Sequence, residues 1–298
     1  MSRASHNIRL SVKARLRPIA RRIGLASGEG AWWESNVRPW ITPVAVDQGA
    51  SAVCNICHWS GEAFVRGYHT EMADCPRCGS VARDRFLLFC FLQRTRRNSD
   101  MRVLETSPRM GYGYRQLMRR WFDYTASDYD LSAHQGDIQI DLQNIALPDS
   151  SIDVLLTPHV LEHVPDTDRA LREIFRVLRP GGRMYLQVPM LHGVTAPPAT
   201  PEFHGDNTPV FFNFGWDIVD RLRATGFTTT VLVTDRYRDI LSGRAEVPPP
   251  HGDGFDVGDL VAHARAGDVL GVADDATAHV YGFLPAHHYS TFECLKPA

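Results

Sequence analysis

The sequence predicts an α/β protein, a doubly wound parallel sheet with a small cysteine-rich module ahead of it, on three observations. From Met101 onward, short apolar strand-like runs alternate with helical runs whose apolar residues recur every three to four positions. Two of the strand-like runs end in acids 23 residues apart, Glu105 and Asp128, a spacing found in doubly wound nucleotide folds. Upstream, four of the six cysteines stand as two C-x2-C pairs.

The 298 residues are 44% hydrophobic and 22% charged, which excludes a disordered or fibrous chain. No run approaches the roughly 18 apolar residues that cross a bilayer. The net charge of -2 is a sum of opposites. Residues 1–28 hold seven basic side chains and no acid, while the rest holds 25 basic against 34 acidic groups. Ile8, Val12, Leu16, Ile19 and Ile23 share one helical face, arginines occupy the others, and Pro18 interrupts the run. This pattern suggests that residues 8–23 contact a membrane surface or an anionic partner. A transit-peptide-like or frayed terminus is the alternative. No secretory signal is visible, so the expected location is cytoplasmic. Residues 1–50 read as a basic arm and an irregular aromatic segment, 51–80 as the cysteine module, and 81–298 as the main domain.

Cys54-Asn-Ile-Cys57 and Cys75-Pro-Arg-Cys78 are separated by 17 residues, which fits a zinc module. Each pair forms a tight knuckle that aims two thiolates at one point, and Gly79 supplies backbone freedom after the second. Four thiolates close a tetrahedral zinc site, so this metal is structural. Two disulfides are the alternative, disfavoured in a reducing compartment. Cys90 and Cys294 lie in apolar runs and read as inert core residues.

Ser80 opens an apolar helix carrying Phe86, Leu87, Phe89, Phe91 and Leu92, which ends near Arg94–Asn98. Met101–Glu105 is the first strand of the sheet, followed by a loop with Gly111 and Gly113. Phe122–Ala126 is the second strand, leading into Ser127 and Asp128. A stretch from Asp137 to Asp141 and Leu142 follows, then a strand ending near Thr157. A helix with Leu171, Ile174, Phe175 and Leu178 on one face stops at Arg179-Pro180-Gly181-Gly182. Arg183–Val188 returns as a strand. Val247–Gly254, rich in Pro, Gly and His, is a break.

The ordered set Val-Leu-Glu, Ser-Asp, Asp-Leu, "LPDSSIDVLLTPHVLEHV" and "LREIFRVLRPGGRMYLQVP" resembles the class I S-adenosylmethionine-dependent methyltransferases. Within them it resembles the Rossmann-like, methyltransferase type 11 branch preceded by a zinc ribbon with a "CPxCGS" knuckle. The resemblance covers about residues 51–235 and resumes near Val280–Lys296, where Thr291–Leu295 reads as a final strand. It implies S-adenosyl-L-methionine as cofactor, with Glu105 near its methionine part, Asp128 on both ribose hydroxyls, and Asp141 with the backbone of Leu142 on the adenine edge. The family's first loop usually reads G-x-G-x-G. Here Ser107, Arg109 and Gly111 take those places, so one glycine remains, and Arg109 either points to solvent or fills part of the pocket.

Methyl transfer needs orientation and exclusion of water, and a hydroxyl acceptor also needs a base or a metal. His159, Glu162 and His163 fall at i, i+3, i+4 and converge if this segment is helical. The resemblance implies two readings. Relatives with E-x-x-E-H here bind magnesium, and the present H-x-x-E-H suggests a second metal at His159, Glu162 and His163. In metal-independent relatives "VLEHV" instead caps and packs the helix. His159 or His163 as general base fits either. Met190–Phe212 reads as a long loop over the acceptor, with His204 as a further base candidate. The expected activity is O-methylation of a small-molecule or glycan acceptor. An RNA methyltransferase using the ribbon and basic arm is one alternative, though the acidic body speaks against nucleic acid. A cofactor-binding or scaffold protein without activity is the other.

Overall fold

The computed structural model describes residues 49–65, 73–134, 136–190, 192–204, 207–247, 257–283 and 290–298. Most of the arm, including residues 8–23, and most of the break at 247–254 lie outside the described residues.

The cysteine module opens with a two-stranded antiparallel hairpin, β1 (Ala52–Val53) and β2 (Ser60–Gly61). Its two knuckles have the same backbone plan. The N–H groups of His58 and Gly79 donate to the carbonyls of Cys54 and Cys75, at 2.9 Å each. Those of Cys54 and Cys75 donate to Trp59 and Ser80, at 2.7 and 2.8 Å. Each turn needs a left-handed residue after its second cysteine, and His58 (φ 59°) and Gly79 (φ 69°) occupy it.

The helix after the module, α1, runs Ala82–Arg94, and the Asp84 carboxylate caps it by accepting the Val81 N–H at 2.9 Å. The chain then enters β3 (Arg102–Thr106), α2 (Tyr112–Trp121), β4 (Asp123–Asp128), α3 (Leu131–His134), β5 (Ile138–Gln139) and β6 (Ile152–Pro158). Helix α4 (Thr167–Val177) is N-capped by Asp166 and buries Ala170, Leu171, Ile174 and Val177, a stripe of helical period. After it come β7 (Leu178–Gln187), a small hairpin of β8 (Glu202–Phe203) and β9 (Pro209–Val210), and α5 (Ile218–Thr225). The remaining elements are β10 (Thr228–Thr234), α6 (Asp235–Leu241), α7 (Val257–His263), β11 (Val269–Ala273), α8 (Asp275–Tyr281) and β12 (Thr291–Leu295).

Eight strands form one sheet in the order β11-β10-β12-β7-β6-β3-β4-β5, in which β12 runs antiparallel to both neighbours and all other pairs are parallel. Leu155 and Leu156 in β6, and Met184 to Leu186 in β7, are consecutive and fully buried, so both faces of the sheet are covered. The structure is thus the doubly wound α/β sheet expected. Strand β7 begins at Leu178, five residues earlier than the sequence suggested, and Arg179–Gly182 form a bulge within it. Lys296 holds this corner: its ammonium donates to the carbonyls of Phe175 and Leu178, at 2.7 and 2.6 Å, at the end of α4. The outermost strand β11 had no sequence signal that we read.

The module shares the core of the sheet domain. Ile56 and Phe64 are buried in one hydrophobic cluster with Phe86 and Phe283. Cys90 and Cys294 are fully buried, and burial pushes both thiols well up. Among the described residues, no helix is long and apolar enough to cross a membrane.

Candidate functional site

Strands β3 and β6 are neighbours, yet the chain leaves β3 toward β4 on one side and β6 toward β7 on the other. Their carboxyl ends therefore flank the topological switch point, where open α/β sheets bind ligands. On the β3 side, Ser107 stands at φ 45° and donates its N–H to Ser127 O at 2.7 Å. Glycine adopts this conformation at no cost, whereas a serine there gives up roughly 1–2 kcal/mol. The Ser107 hydroxyl donates to Asp128 Oδ1 at 3.2 Å, and the Asp130 N–H reaches the same oxygen at 3.4 Å. Asp128 is buried at the end of β4 with its carboxylate held in one orientation. Gly111 is the N-cap of α2. Arg109 turns away from the crevice and pairs with Asp84 at 2.7 Å, tying the loop to α1.

Glu105 is buried at the end of β3, where Tyr124 and Tyr114 donate hydroxyl hydrogen bonds to Oε2 at 2.7 and 3.1 Å. Burial pushes its carboxyl up to about 7, against the lowering effect of the two phenols. Asp141 accepts the Gln143 N–H at 2.8 Å in a local turn, and the Leu142 side chain is buried beside it. On the β6 side, Thr157 is fully buried and its hydroxyl makes no hydrogen bond among the described residues. A polar atom left in this state at the switch point suits a ligand that brings its own partner.

Just past β6 lies a cluster of imidazoles around one carboxylate. The segment is not the α-helix that the i, i+3, i+4 reading required. His159 takes a left-handed conformation, φ 50°, and a single 3-10 turn follows at Leu161–His163. Convergence survives by a different route. His159 Nδ1 lies 3.6 Å and His163 Nε2 3.9 Å from the same Glu162 oxygen, and Glu162 is 1% exposed. His163 Nδ1 is 2.7 Å from Pro209 O. A carbonyl only accepts, so Nδ1 carries the proton and a neutral His163 keeps its lone pair on Nε2.

The segment after β7 is more ordered than the loop read from sequence. Met190 bridges to Phe214 and Ala196 to Asn213, and β8–β9 folds over the 3-10 turn, where the Phe211 N–H donates to Glu162 O at 2.8 Å. This brings His204 onto His163, ring centroids 4.6 Å apart and edge to face. The three sequence-predicted imidazoles thus fall in one neighbourhood. Among the described residues, the four cysteines are the one group of three or more ligand residues whose donor atoms all lie within 4.8 Å of one another.

In that group, Cys54 and Cys78 sulfurs are 3.7 Å apart and Cys57 and Cys75 sulfurs 3.6 Å. A tetrahedron of about 2.3 Å zinc–sulfur bonds has edges of about 3.8 Å, so the four sulfurs are compatible with one zinc ion.

Residues 108–186 match the family described as "Methyltransferase domain". The chain carries a methyltransferase domain. The match runs from the loop after β3 to Leu186 in β7; it contains Gly111, Asp128 and the β6 side of the switch point, while Glu105 and Ser107 lie just ahead of it. An arsenite methyltransferase of Aquipseudomonas alcaligenes is 39% identical over 66 residues, 21% of this chain and 19% of the relative. The ubiquinone/menaquinone biosynthesis C-methyltransferase UbiE of Vibrio campbellii is 43% identical over 47 residues, 16% of this chain and 18% of the relative. Each match spans less than a fifth of the relative's own length. Among solved structures, the 1,6-didemethyltoxoflavin-N1-methyltransferase of Burkholderia thailandensis is similar at 14% identity and a TM-score of 0.42, over 73% of this chain and 79% of that one.

Sequence reasoning missed Tyr114 and Tyr124, whose hydroxyls hold Glu105. A tyrosine on the buried side of a helix or a strand reads as core, and its hydroxyl partner is set by the packing of α2 and β4 against β3. It also missed Ser80 and Arg85 beside the cysteines, since an arginine next to an acid at a helix start reads as a solvated charge.

Proposed function

We propose that the methyltransferase domain transfers a methyl group from S-adenosylmethionine to a hydroxyl of a small-molecule or glycan acceptor, with His163 as the base. The observation that carries this reading is His163 itself, fixed through Nδ1 to Pro209 with Nε2 facing Glu162 beside the switch point. The cofactor supplies an electrophilic methyl group on a cationic sulfur. Asp128, oriented by Ser107, holds the ribose hydroxyls, and Asp141 with the Leu142 backbone holds the base. His163 takes the acceptor's proton at Nε2, and the Glu162 carboxylate offsets the imidazolium charge formed. His204 and the β8–β9 hairpin cover the acceptor and exclude water. The four cysteines hold a structural zinc ion.

Calorimetry with S-adenosylhomocysteine tests the first part. Binding is expected in the wild type and is expected to weaken at least tenfold in Asp128→Ala; no binding in the wild type overturns the reading. Metabolite and glycan profiling of a deletion strain then tests the acceptor class. Loss of a methylated RNA nucleoside with no change in small molecules or glycans overturns that class.

A further inference from the structure

The methyltransferase chemistry does not explain the buried charge of Arg85. Arg85, on α1, is fully buried. Its guanidinium donates to Tyr281 O at 2.8 Å, Ser80 O at 2.6 Å, Ala73 O at 2.6 Å and Gly282 O at 3.4 Å. It also lies 4.0 Å above the Phe64 ring. Among the described residues, these acceptors are all neutral. Gly282 is required at this contact, because a Cβ there would stand 2.7 Å from the Phe64 ring and 2.9 Å from Arg85 Nη2.

A fully buried cation needs a compensating anion nearby. The adjacent Ser80 shows where one forms. Its hydroxyl is buried, 3.4 Å from Arg85 Nη1, 3.2 Å from Cys78 sulfur and 3.4 Å from Cys54 sulfur. With the thiols deprotonated for a metal, the hydroxyl accepts from the guanidinium and donates to a thiolate. Four thiolates around Zn2+ carry a net charge of -2, and a hydrogen-bonded cation one residue away offsets half of it. The same guanidinium grips the carboxyl end of α8, which leads toward β12 in the sheet.

We infer that Ser80 and Arg85 are the outer shell of the metal site, and that Arg85 couples zinc occupancy to the stability of the sheet domain. The inference rests on the zinc reading of the four cysteines. With zinc bound, Arg85 lies beside the negative charge of the four-sulfur centre; without it, the partners of Arg85 among the described residues are backbone carbonyls, the Ser80 hydroxyl and the Phe64 ring. Removing the charge therefore weakens the loaded state more than the stripped one.

The test uses the full chain, with zinc content measured first by atomic absorption. Zinc affinity follows by competition with a chromogenic chelator, and melting temperature is read with zinc and after stripping under reducing conditions. Arg85→Met and Ser80→Ala are each expected to bind zinc 10- to 100-fold more weakly. The drop in melting temperature on stripping is expected to be smaller in Arg85→Met than in the wild type. Equal destabilisation of both states with unchanged zinc affinity would mean that Arg85 only clamps carbonyls, and overturns the inference. Should Arg85→Met not fold, Ser80→Ala decides, because it keeps every carbonyl contact of Arg85. Unchanged zinc affinity in Ser80→Ala also overturns the inference. A wild type without zinc removes the metal reading itself, a failure recognised by the metal content alone.

Discussion

The cysteine cluster and the imidazole cluster are both convergent sets of side chains, but they are assembled on different length scales. Each cysteine pair is positioned by a turn of six residues, with identical hydrogen bonds in both turns. Only the docking of one turn on the other is long-range. In the imidazole cluster nothing local suffices. Glu162 and His163 come from a 3-10 turn after β6, while His204 and the Pro209 carbonyl arrive on a hairpin some 40 residues later. A site built from turns can be recognised by its spacing, whereas one built by docking has no spacing to recognise.

The largest expected effect breaks the first cluster. Cys57→Ala is expected to lose zinc and to destabilise the fold by about 5 kcal/mol or more, seen as a loss of cooperative unfolding in denaturant titration. Zinc retained at full stoichiometry with normal unfolding would show that the turns need no metal. His163→Ala breaks the second cluster, and there the cost is expected in rate rather than in stability. We expect kcat to fall by roughly 100- to 10,000-fold with little change in S-adenosylhomocysteine affinity or melting temperature. An unaltered kcat would remove His163 from the chemistry.

A smaller effect sharpens the comparison within the pocket floor. The folded-state carboxyl of Glu105 is raised to about 7 by burial, above the 4.5 it has when exposed. The folded state therefore binds the extra proton between these values. The stability that this proton confers is fully present below about 4.5 and is lost as the pH rises through 7. Glu105→Gln mimics the protonated form, so it is expected to gain up to about 3 kcal/mol relative to the wild type between pH 5 and pH 8. A constant difference across that range, measured by denaturant unfolding, would place Glu105 in a wetter site than the two tyrosines allow. The smallest effect is expected at the sheet corner. Lys296→Met removes the donor that closes α4 and should cost about 1 kcal/mol with no change in kcat.

Much of the fold was legible because burial leaves a period. The apolar runs at β3 and β6, β7 from Arg183 onward, Leu171 and Ile174 of the α4 stripe, and the last strand at Thr291–Leu295 stood where their patterns put them. The acids Glu105, Asp128 and Asp141 were visible as candidates because each follows a strand or its loop. Their environments were not. That Glu105 is held by two phenols, Asp128 by Ser107, and Arg109 by Asp84 depends on contacts between elements that no local window contains. The H-x-x-E-H motif shows the limit well. Its side chains lie close together, but the expected helix is not formed, since His159 adopts a left-handed conformation and only a 3-10 turn follows.

By itself the sequence determined the class of fold, the grouping of the four cysteines and the order of the strands' acidic ends. These follow from backbone periodicity and short-range turn geometry, which act within a few residues. Tertiary structure alone decided which imidazole meets Glu162, which tyrosines seal Glu105, and that a buried arginine joins the cysteine module to the sheet. Those outcomes depend on side chains distant in the chain meeting in a medium of low dielectric, where a hydrogen bond or a charge is strong and its partner must be close.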